Sequence, residues 1–304
     1  MTQHENHPLM KSVAHACYKV PGMKNLARRL GRFIIRRQFL SYSNRKRIFN
    51  FLTPDVLPKG DTCFQVRTGA RRLRLKYDLS DDVACWLYYW DYDGYEIGVK
   101  RLWVKLLQTH HCVFDIGANI GYYSLLAGAV RPDVDVHAFE PRPEIFQRFQ
   151  DNVLANQLEN VHINDAAVCD VDGSAALYFT PGEALSNASL RAGFMNQLEK
   201  RQVHTVRFDT YCREHRLTSV DLVKMDCEGA EILVLKGMGD LLEAWMPDII
   251  CEVLPEFQEE LEAFFARTPY RRYLITDNGL EARDALTAHP MYRDYFLSCR
   301  TDAL

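Results

Sequence analysis

Long apolar runs are missing from this chain of 304 residues. No stretch approaches the roughly 20 apolar residues that a helix needs to cross a bilayer, so we expect no transmembrane helix. The N-terminal segment 1–8 is polar and lacks the apolar core of a secretory signal. These absences predict a cytoplasmic protein, and they leave room for peripheral attachment to a membrane surface.

Paired cysteines are also missing. The nine cysteines stand singly at positions 17, 63, 85, 112, 169, 212, 227, 251 and 299, and no C-x-x-C pair occurs. This spacing gives no indication of a paired-cysteine zinc site or of redox chemistry. An odd number of scattered cysteines is typical of reduced, mostly buried thiols.

Acidic residues are absent from residues 6–54, which contain eleven Lys or Arg. The rest of the chain has 26 of the 37 basic residues and all 40 acidic ones. Within this basic arm, apolar residues recur at helical spacing and predict an amphipathic helix over about 22–40. They are Leu26, Leu30, Phe33 and Ile34. Such a helix either packs on the protein's own acidic body or contacts an anionic membrane, a nucleic acid or a protein partner.

The sequence pattern divides the chain into three parts. The basic arm covers residues 1–54, and an extension over 55–110 has the pattern of a β-hairpin at 63–79 and of a helix from about Glu96 to Leu107. Residues 111–304 form the third part, an α/β domain.

From residue 112 onward, strand patterns alternate with helix patterns, which is typical of a mostly parallel sheet covered by helices on both faces. Strands are predicted at 112–116, 135–140, 160–168, 220–226 and 248–254. Helices are predicted near 121–130, 143–156, 229–237 and 256–267. Two later segments, 271–279 and 294–300, predict an antiparallel pair at the sheet edge. The expected fold is therefore an α/β, Rossmann-like sheet of seven strands with a helical and hairpin extension before it.

The run VFDIGANIGYYS over 113–124 reads as a strand, a glycine turn and the start of a helix. Ligands of open parallel sheets bind at the carboxyl ends of the strands, where this turn lies. Gly117 and Gly121 can adopt positive φ and let a ligand approach the backbone. A dinucleotide site needs G-x-G-x-x-G, but Asn119 and Tyr122 stand at the second and third glycine positions.

The charge beside this turn also disfavours a ligand that carries phosphate. Asp115 ends the strand, and its carboxylate would repel a pyrophosphate but suits a cationic ligand. S-adenosylmethionine has no phosphate and carries a sulfonium and an amino group. The turn therefore favours this cofactor.

Residues at the ends of two later strands could contact the ribose and the adenine of such a cofactor. Glu140 ends the second strand, where an acid can accept both hydrogen bonds of a ribose diol. Asp165 and Ala166 follow the third strand, where an acid or its backbone can meet an adenine amino group and a small residue leaves room for the ring. Asp165 alone is a weak signal, since Asp also begins turns for local reasons.

Four stretches resemble the FkbM family of S-adenosylmethionine-dependent methyltransferases in order and spacing. They are VFDIGANIGYYSLLA, VHAFEPRPEIFQRFQDNVLAN, DLVKMDCEGAEILVLKGM and PDIICEVLPE, and the resemblance covers about residues 90–255. It implies a class I methyltransferase sheet and O-methylation of a hydroxyl, often on a sugar or a secondary metabolite. It also implies a cofactor site lined by Asp115, Gly117, Asn119, Gly121 and Glu140. Cys227 replaces an aliphatic residue usual in the family, which should change little.

The third of these stretches contains the strongest catalytic candidates. The strand that ends at Met225 delivers Asp226 and Glu228 to the sheet edge where Asp115 lies, and alternation puts Lys224 on the same side, one step deeper. A lysine beneath two carboxylates can hold one of them ionised. We expect Asp226 nearest the methyl group and Glu228 as an orienting partner or base.

Other readings of these acids stay open. Asp226 alone could simply cap the following helix. Neighbouring carboxylates are also compatible with Mg²⁺, so the sequence leaves metal dependence undecided.

Candidate substrate contacts follow the third and fifth strands. The polar loop TPGEALSNASLRAG is placed to cover the strand ends. Its Ser186, Asn187 and Ser189 can hydrogen-bond a sugar-like acceptor, or they can satisfy the loop's own backbone. Glu252 sits late in its strand and can face the same pocket.

Three other functions compete with methylation of a small molecule or glycan. The basic arm suggests a nucleic-acid methyltransferase. Against this function, the body is acidic, and the Pro-Pro-aromatic tetrapeptide of amino-methylating DNA enzymes does not occur. A non-catalytic methyltransferase-like module is the second, although the candidate site acids are intact. A dehydrogenase is the third, and the missing glycines of the turn disfavour it.

Overall fold

The computed structural model describes residues 23–36, 61–68, 71–78, 82–90, 95–180, 188–193 and 199–300. The elements before the α/β domain are α1 (Met23–Ile35), β1 (Asp61–Thr68), β2 (Arg71–Asp78), α2 (Asp82–Trp90) and α3 (Ile97–Leu106). Strands β1 and β2 pair antiparallel, which confirms the predicted hairpin. Helix α2 was not predicted.

Helix α1 packs on α2 near its C-terminal end. Ile35 is fully buried in a cluster with Tyr89 and Trp90, and Arg36 Nη2 donates to the carbonyl of Tyr88 at 3.0 Å. The apolar side chains Leu26, Leu30 and Phe33 are each more than half exposed. The helix thus docks on the protein's own body, and its contact with a membrane or a partner stays a prediction.

The central sheet has eight strands, one more than predicted. These are β3 (Cys112–Ile116), β4 (Asp135–Phe139), β5 (Val161–Asn164), β10 (Leu222–Met225), β11 (Asp248–Glu252), β12 (Arg271–Thr276), β13 (Gly279–Arg283) and β14 (Asp294–Ser298), in the order β13-β12-β14-β11-β10-β3-β4-β5. The five from β5 to β11 run parallel, and β14 is antiparallel to β11 and β12. The extra strand arises because the segment read as one strand turns back at Asp277-Asn278 and forms the hairpin β12–β13.

A second sheet was missed by the sequence reading. The strand predicted at 160–168 ends at Asn164, because the chain bends at 165–166 and leaves the central sheet. The next strand belongs to a second sheet of four strands, whose order is β6-β9-β7-β8. These strands are β6 (Ala167–Cys169), β7 (Gly173–Phe179), β8 (Ala188–Ser189) and β9 (Glu199–Arg207). The prediction of one continuous third strand was therefore wrong.

Helices cover the sheet. They are α4 (Tyr122–Val130), α5 (Pro143–Asn156), α6 (Phe208–Glu214), α7 (Glu231–Met238), α8 (Leu241–Trp245) and α9 (Gln258–Phe265). The four predicted helices are confirmed, and α5 begins at Pro143, as the fixed φ of proline favours. Among the described helices, none has the length and apolar content needed to span a membrane.

Two buried clusters lie on the two faces of the sheet. Because side chains of a strand alternate between the faces, β3 contributes residues to both clusters. Val113 belongs to one cluster and Phe114 to the other. Trp103 of α3 is fully buried in the first cluster, and its indole Nε1 donates to the carbonyl of Tyr123 at 3.2 Å. The extension and the sheet therefore share one core, while the three-part division of the chain stays a prediction.

The glycine turn after β3 is shaped by the protein's own atoms. Gly117 and Gly121 have φ of 79° and 86°. A Cβ on Gly117 would meet the backbone carbonyl oxygen of Asp226, and one on Gly121 would meet the ring of Phe149, both far inside contact distance. Asn119 also has positive φ, which Asn tolerates better than most residues. Packing alone thus requires glycine at 117 and 121.

Substitution of Gly121 by Ala tests this packing. We expect the free energy of unfolding to fall by roughly 2–5 kcal/mol, because the left-handed backbone and the Phe149 ring both oppose a Cβ. Gly193→Ala is the matched control: its φ is 80°, and no described atom lies within 4 Å of a Cβ placed there. The control should lose only about 1–2 kcal/mol in urea unfolding. Equal losses in the two variants would contradict the packing argument.

Candidate active site

A cavity of about 770 Å³ lies at the carboxyl ends of the parallel strands. This is where an open parallel sheet binds its ligand. Its charged lining residues are Glu96, Asp115, Glu140, Lys224, Asp226, Glu228, Glu252, Asp277, Arg293 and Asp294. Acids thus dominate the described lining, and the site suits a cationic or hydroxyl-rich ligand.

Lys224 lies at the centre of these acids. Its side chain is 3% exposed, and its Nζ is 3.1 Å from Oδ2 of Asp226 and 4.7 Å from the centre of the Tyr123 ring. Burial by itself would lower the pKa of Lys224, but neighbouring carboxylates outweigh burial and raise that pKa above its ordinary value. In order of effect, they belong to Asp226, Glu96, Asp115 and Asp294. Lys224 is therefore a permanent buried cation.

Asp115 reaches the site from the neighbouring strand. It is the register partner of Lys224 across β3 and β10, and it is almost completely buried. Its Oδ2 accepts a hydrogen bond from Ser124 Oγ at 2.5 Å. Burial raises the pKa of Asp115, while Lys224 and the Ser124 hydrogen bond act against that rise. Asp115 thus supports the cavity wall together with Ser124 and Lys224.

Glu140 ties the glycine turn to the end of β4. Its Oε2 accepts from the backbone N–H of Asn119 at 3.0 Å, and its Oε1 accepts from that of Arg142 at 2.8 Å. Burial raises the pKa of Glu140 to about 7, and the two backbone hydrogen bonds oppose the rise. Each carboxylate oxygen can accept a further hydrogen bond, so Glu140 can hold the turn and a ligand hydroxyl at once.

Glu228 and Glu252 form the opposite wall. Glu228 has a left-handed backbone with φ 53° in the turn after β10. Burial, followed by the charge of Asp226, raises the pKa of Glu228 to about 8 and that of Glu252 to about 11. Arg293 Nη1 lies 3.6 Å from Oε1 of Glu252. Their raised pKa values favour the protonated form of these two carboxyl groups, and in that form each can donate a hydrogen bond.

The sequence reading missed several acids of the cavity lining, and it also missed the contact of the buried Glu231 with the backbone beside the cavity. Glu96 comes from the extension, where it precedes α3 with φ 42°, and its Oε2 accepts from the hydroxyl of Tyr123 at 2.7 Å. Asp294 begins β14 and is the register partner of Glu252. Glu231 is almost completely buried, and its Oε1 accepts from the backbone N–H of Cys227 at 2.7 Å.

Glu231 also corrects one expectation about the turn after β10. The sequence pattern predicted that this helix starts near residue 229. Helix α7 begins at Glu231 instead, and the N–H of Gly229 donates to Oε1 of Glu231 at 3.4 Å. A signal for this contact existed, since an acid in the first turn of a helix is a common N-terminal feature.

Of the remaining predicted site residues, some line the cavity and others do not. Ala166 lines the cavity, whereas Asp165 is exposed and is not among the lining residues. Ser189 is buried, and its Oγ accepts from the backbone N–H of Arg191 at 3.0 Å. Ser186 and Asn187 lie outside the described residues. The ligand contacts predicted for these side chains stay predictions.

A Rossmann-like sheet with an acidic cavity at its carboxyl edge and no dinucleotide glycine pattern is the arrangement of a class I methyltransferase. Comparison with known families agrees: the methyltransferase FkbM domain matches residues 115–295. The chain belongs to the FkbM methyltransferase family. This membership supports S-adenosylmethionine as the methyl donor.

Several known proteins are similar to this chain. The 31-O-demethyl-FK506 methyltransferase FkbM of Streptomyces tacrolimicus is 27% identical over 224 residues, which are 65% of this chain and 80% of that protein. The 2-O-methyltransferase NoeI of Sinorhizobium fredii is 28% identical over 47% of this chain and 64% of its own length. The hexuronic acid methyltransferase AglP of Haloferax volcanii is 25% identical over 49% of this chain and 59% of its own length. The match therefore spans less than two thirds of NoeI and AglP.

A solved structure of methyltransferase FkbM from Methylobacillus flagellatus also aligns with the chain. The TM-score is 0.43 at 15% identity, over 62% of this chain and 43% of the other.

The raised carboxyl pKa values predict how stability depends on pH. The folded protein keeps the protons of Glu140 and Glu228 up to pH values of about 7 and about 8, whereas an unfolded chain loses them near the ordinary value of 4.5. Because the unfolded state then binds fewer protons, the free energy of unfolding should fall as the pH rises from about 5 to about 8. Glu228→Gln removes one of these groups and should flatten the fall.

Thermal melting across this pH range measures the effect. Glu243→Gln is the control, because Glu243 is exposed on α8 and lies outside the cavity lining. A slope in Glu228→Gln as steep as in the control would show that Glu228 carries no such proton.

Proposed function

We propose that this protein is an S-adenosylmethionine-dependent O-methyltransferase that acts on a hydroxyl group of a sugar, a glycan or a secondary metabolite. The observation that carries the proposal is the pair of Asp226 and Lys224 at the carboxyl edge of the sheet, 3.1 Å apart inside the acidic cavity. The names of three relatives agree with it, since they describe a 31-O-demethyl-FK506 methyltransferase, a 2-O-methyltransferase and a hexuronic acid methyltransferase.

The residues around the glycine turn fit the cofactor. Glu140 has lone pairs left for a ribose diol after binding two backbone N–H groups. Ala166 and Ala167 line the cavity and leave room for a flat ring. Among the described lining residues, Lys224 and Arg293 are the only basic ones. That charge balance suits a sulfonium and disfavours a phosphate-bearing cofactor.

Methyl transfer requires the protein mainly to align the methyl donor with the acceptor hydroxyl. S-adenosylmethionine would supply a methyl group on a positively charged sulfur, and the protein would have to place the acceptor oxygen in line with that group. The side chain of Asp226 is 25% exposed, so one part of its carboxylate contacts Lys224 while the rest can accept a hydrogen bond from the acceptor hydroxyl. Lys224 restricts the orientation of this carboxylate, and Asp226 can then take up the hydroxyl proton.

The other two carboxyl groups favour an acceptor with several hydroxyls. The raised pKa values of Glu228 and Glu252 favour their protonated forms, which can donate hydrogen bonds, while an oxygen of Asp226 can accept one. A hydroxyl both donates and accepts, so a polyol or sugar satisfies donors and acceptors on neighbouring carbons. This complementarity supports the hydroxyl acceptor class.

Glu140→Gln tests the cofactor contact. Losing charge-assisted hydrogen bonds to a ribose should weaken S-adenosylmethionine binding roughly tenfold to hundredfold in calorimetric titration. Glu144→Gln is the control, because Glu144 lies in the first turn of α5 with its side chain 49% exposed. Unchanged affinity in Glu140→Gln would remove Glu140 from the cofactor site.

Asp226→Asn tests the reaction itself. We expect it to abolish methyl transfer, measured as S-adenosylhomocysteine formed with a panel of sugars and hydroxylated metabolites, while S-adenosylmethionine still binds. Asp284→Asn, an exposed change after β13, should keep full activity. Full activity in Asp226→Asn would exclude Asp226 from the mechanism. Wild-type transfer only to amine or nucleic-acid acceptors would overturn the O-methyltransferase proposal.

A further inference from the structure

Four side chains of kinds that can bind a metal lie near one another at the amino ends of the parallel strands, at the edge of the sheet opposite the cavity. Cys112 of β3 is the register partner of Asp135 of β4, and His137 of β4 is the register partner of His162 of β5. Asp135 and His137 are two residues apart on one strand, so they share a face of the sheet. The methyl-transfer chemistry makes no use of this cluster.

The ligand atoms are close enough to share one ion. One ligand atom each from Cys112, Asp135 and His137 lie within 4.8 Å of one another. His137 Nε2 is 3.1 Å from Oδ2 of Asp135, whose Oδ1 is 2.7 Å from Nε2 of His162. Around a tetrahedral Zn²⁺ with bonds of about 2.0–2.3 Å, ligand atoms stand about 3.4–3.8 Å apart. Small side-chain movements would therefore complete a coordination sphere.

The surroundings of His137 match those of a metal-bound imidazole. Its Nδ1 lies 2.9 Å from the hydroxyl of Tyr211, which also accepts from Nδ2 of Asn164 at 3.2 Å. A partner on the second ring nitrogen is what orients the first towards a metal.

The site is open to solvent on one side. The side chain of Asp135 is 45% exposed, and Cys112 is only partly buried. We propose that Cys112, Asp135 and His137 bind a divalent transition metal such as Zn²⁺, with His162 or a water in the fourth position. The thiolate selects such a metal over Mg²⁺ or Ca²⁺. The ion would join β3 to β4 at the end of the sheet farthest from the methyl acceptor.

Cobalt titration tests this site. The full-length chain without added histidines is stripped with a chelator and titrated with Co²⁺. A thiolate-to-cobalt charge-transfer band should rise to one equivalent and vanish when Zn²⁺ is added. Cys112→Ser should abolish the band, and Asp135→Asn should weaken Co²⁺ binding at least about tenfold. Cys17→Ser and Cys299→Ser are the controls, because each removes another thiol and should leave the band intact.

The outcomes separate clearly. No charge-transfer band in the wild-type chain, or a band that persists in Cys112→Ser, overturns the site. Loss of the band in Cys17→Ser also overturns it, because the thiolate would then belong to the basic arm. Circular dichroism verifies that each variant is folded. If Cys112→Ser unfolds, Asp135→Asn still tests the site through its weaker Co²⁺ binding, because it changes a half-exposed carboxylate and should leave the fold intact.

Discussion

The active-site cavity depends on one buried ammonium group. Lys224 holds together carboxylates from separate parts of the chain: Glu96 before α3, Asp115 on β3, Asp226 after β10 and Asp294 on β14. Taking a charge out of water costs several kcal/mol unless opposite charges compensate, and these acids would repel one another without the cation. The charge of Lys224 is therefore stabilised by acids that long-range packing brings together from several separate elements.

This arrangement gives the carboxyl groups of one cavity different chemistry. Asp226 lies against Lys224, whereas burial and neighbouring negative charge raise the pKa of Glu228 to about 8 and that of Glu252 to about 11. Glu228 and Glu252 thus favour the protonated form that can donate a hydrogen bond, whereas Oδ2 of Asp226 accepts one from Lys224. A hydroxyl acceptor needs both kinds of partner, one for its proton and one for its lone pairs.

The parallel strands and their helices were predictable, because buried strands and turn residues alternate clearly after residue 112. The third strand was read too long, since Ala166 to Val168 are apolar, although the chain bends at 165–166 and Ala167 and Val168 belong to the second sheet. The residues at strand ends, such as Lys224, Asp226 and Glu140, followed from the same pattern. Glu96 and Asp294 did not, because their place in the cavity is set by long-range packing of the extension and by the order of the edge strands.

The close approach of Gly117 to the backbone of Asp226 has a mechanical consequence. The carbonyl oxygen of Asp226 occupies the space where a side chain at 117 would stand. In addition, the N–H of Asp226 donates to the carbonyl of Ile116 at 3.0 Å. The glycine turn after β3 and the turn after β10 are thus joined main chain to main chain. Displacement of either turn would therefore displace the other.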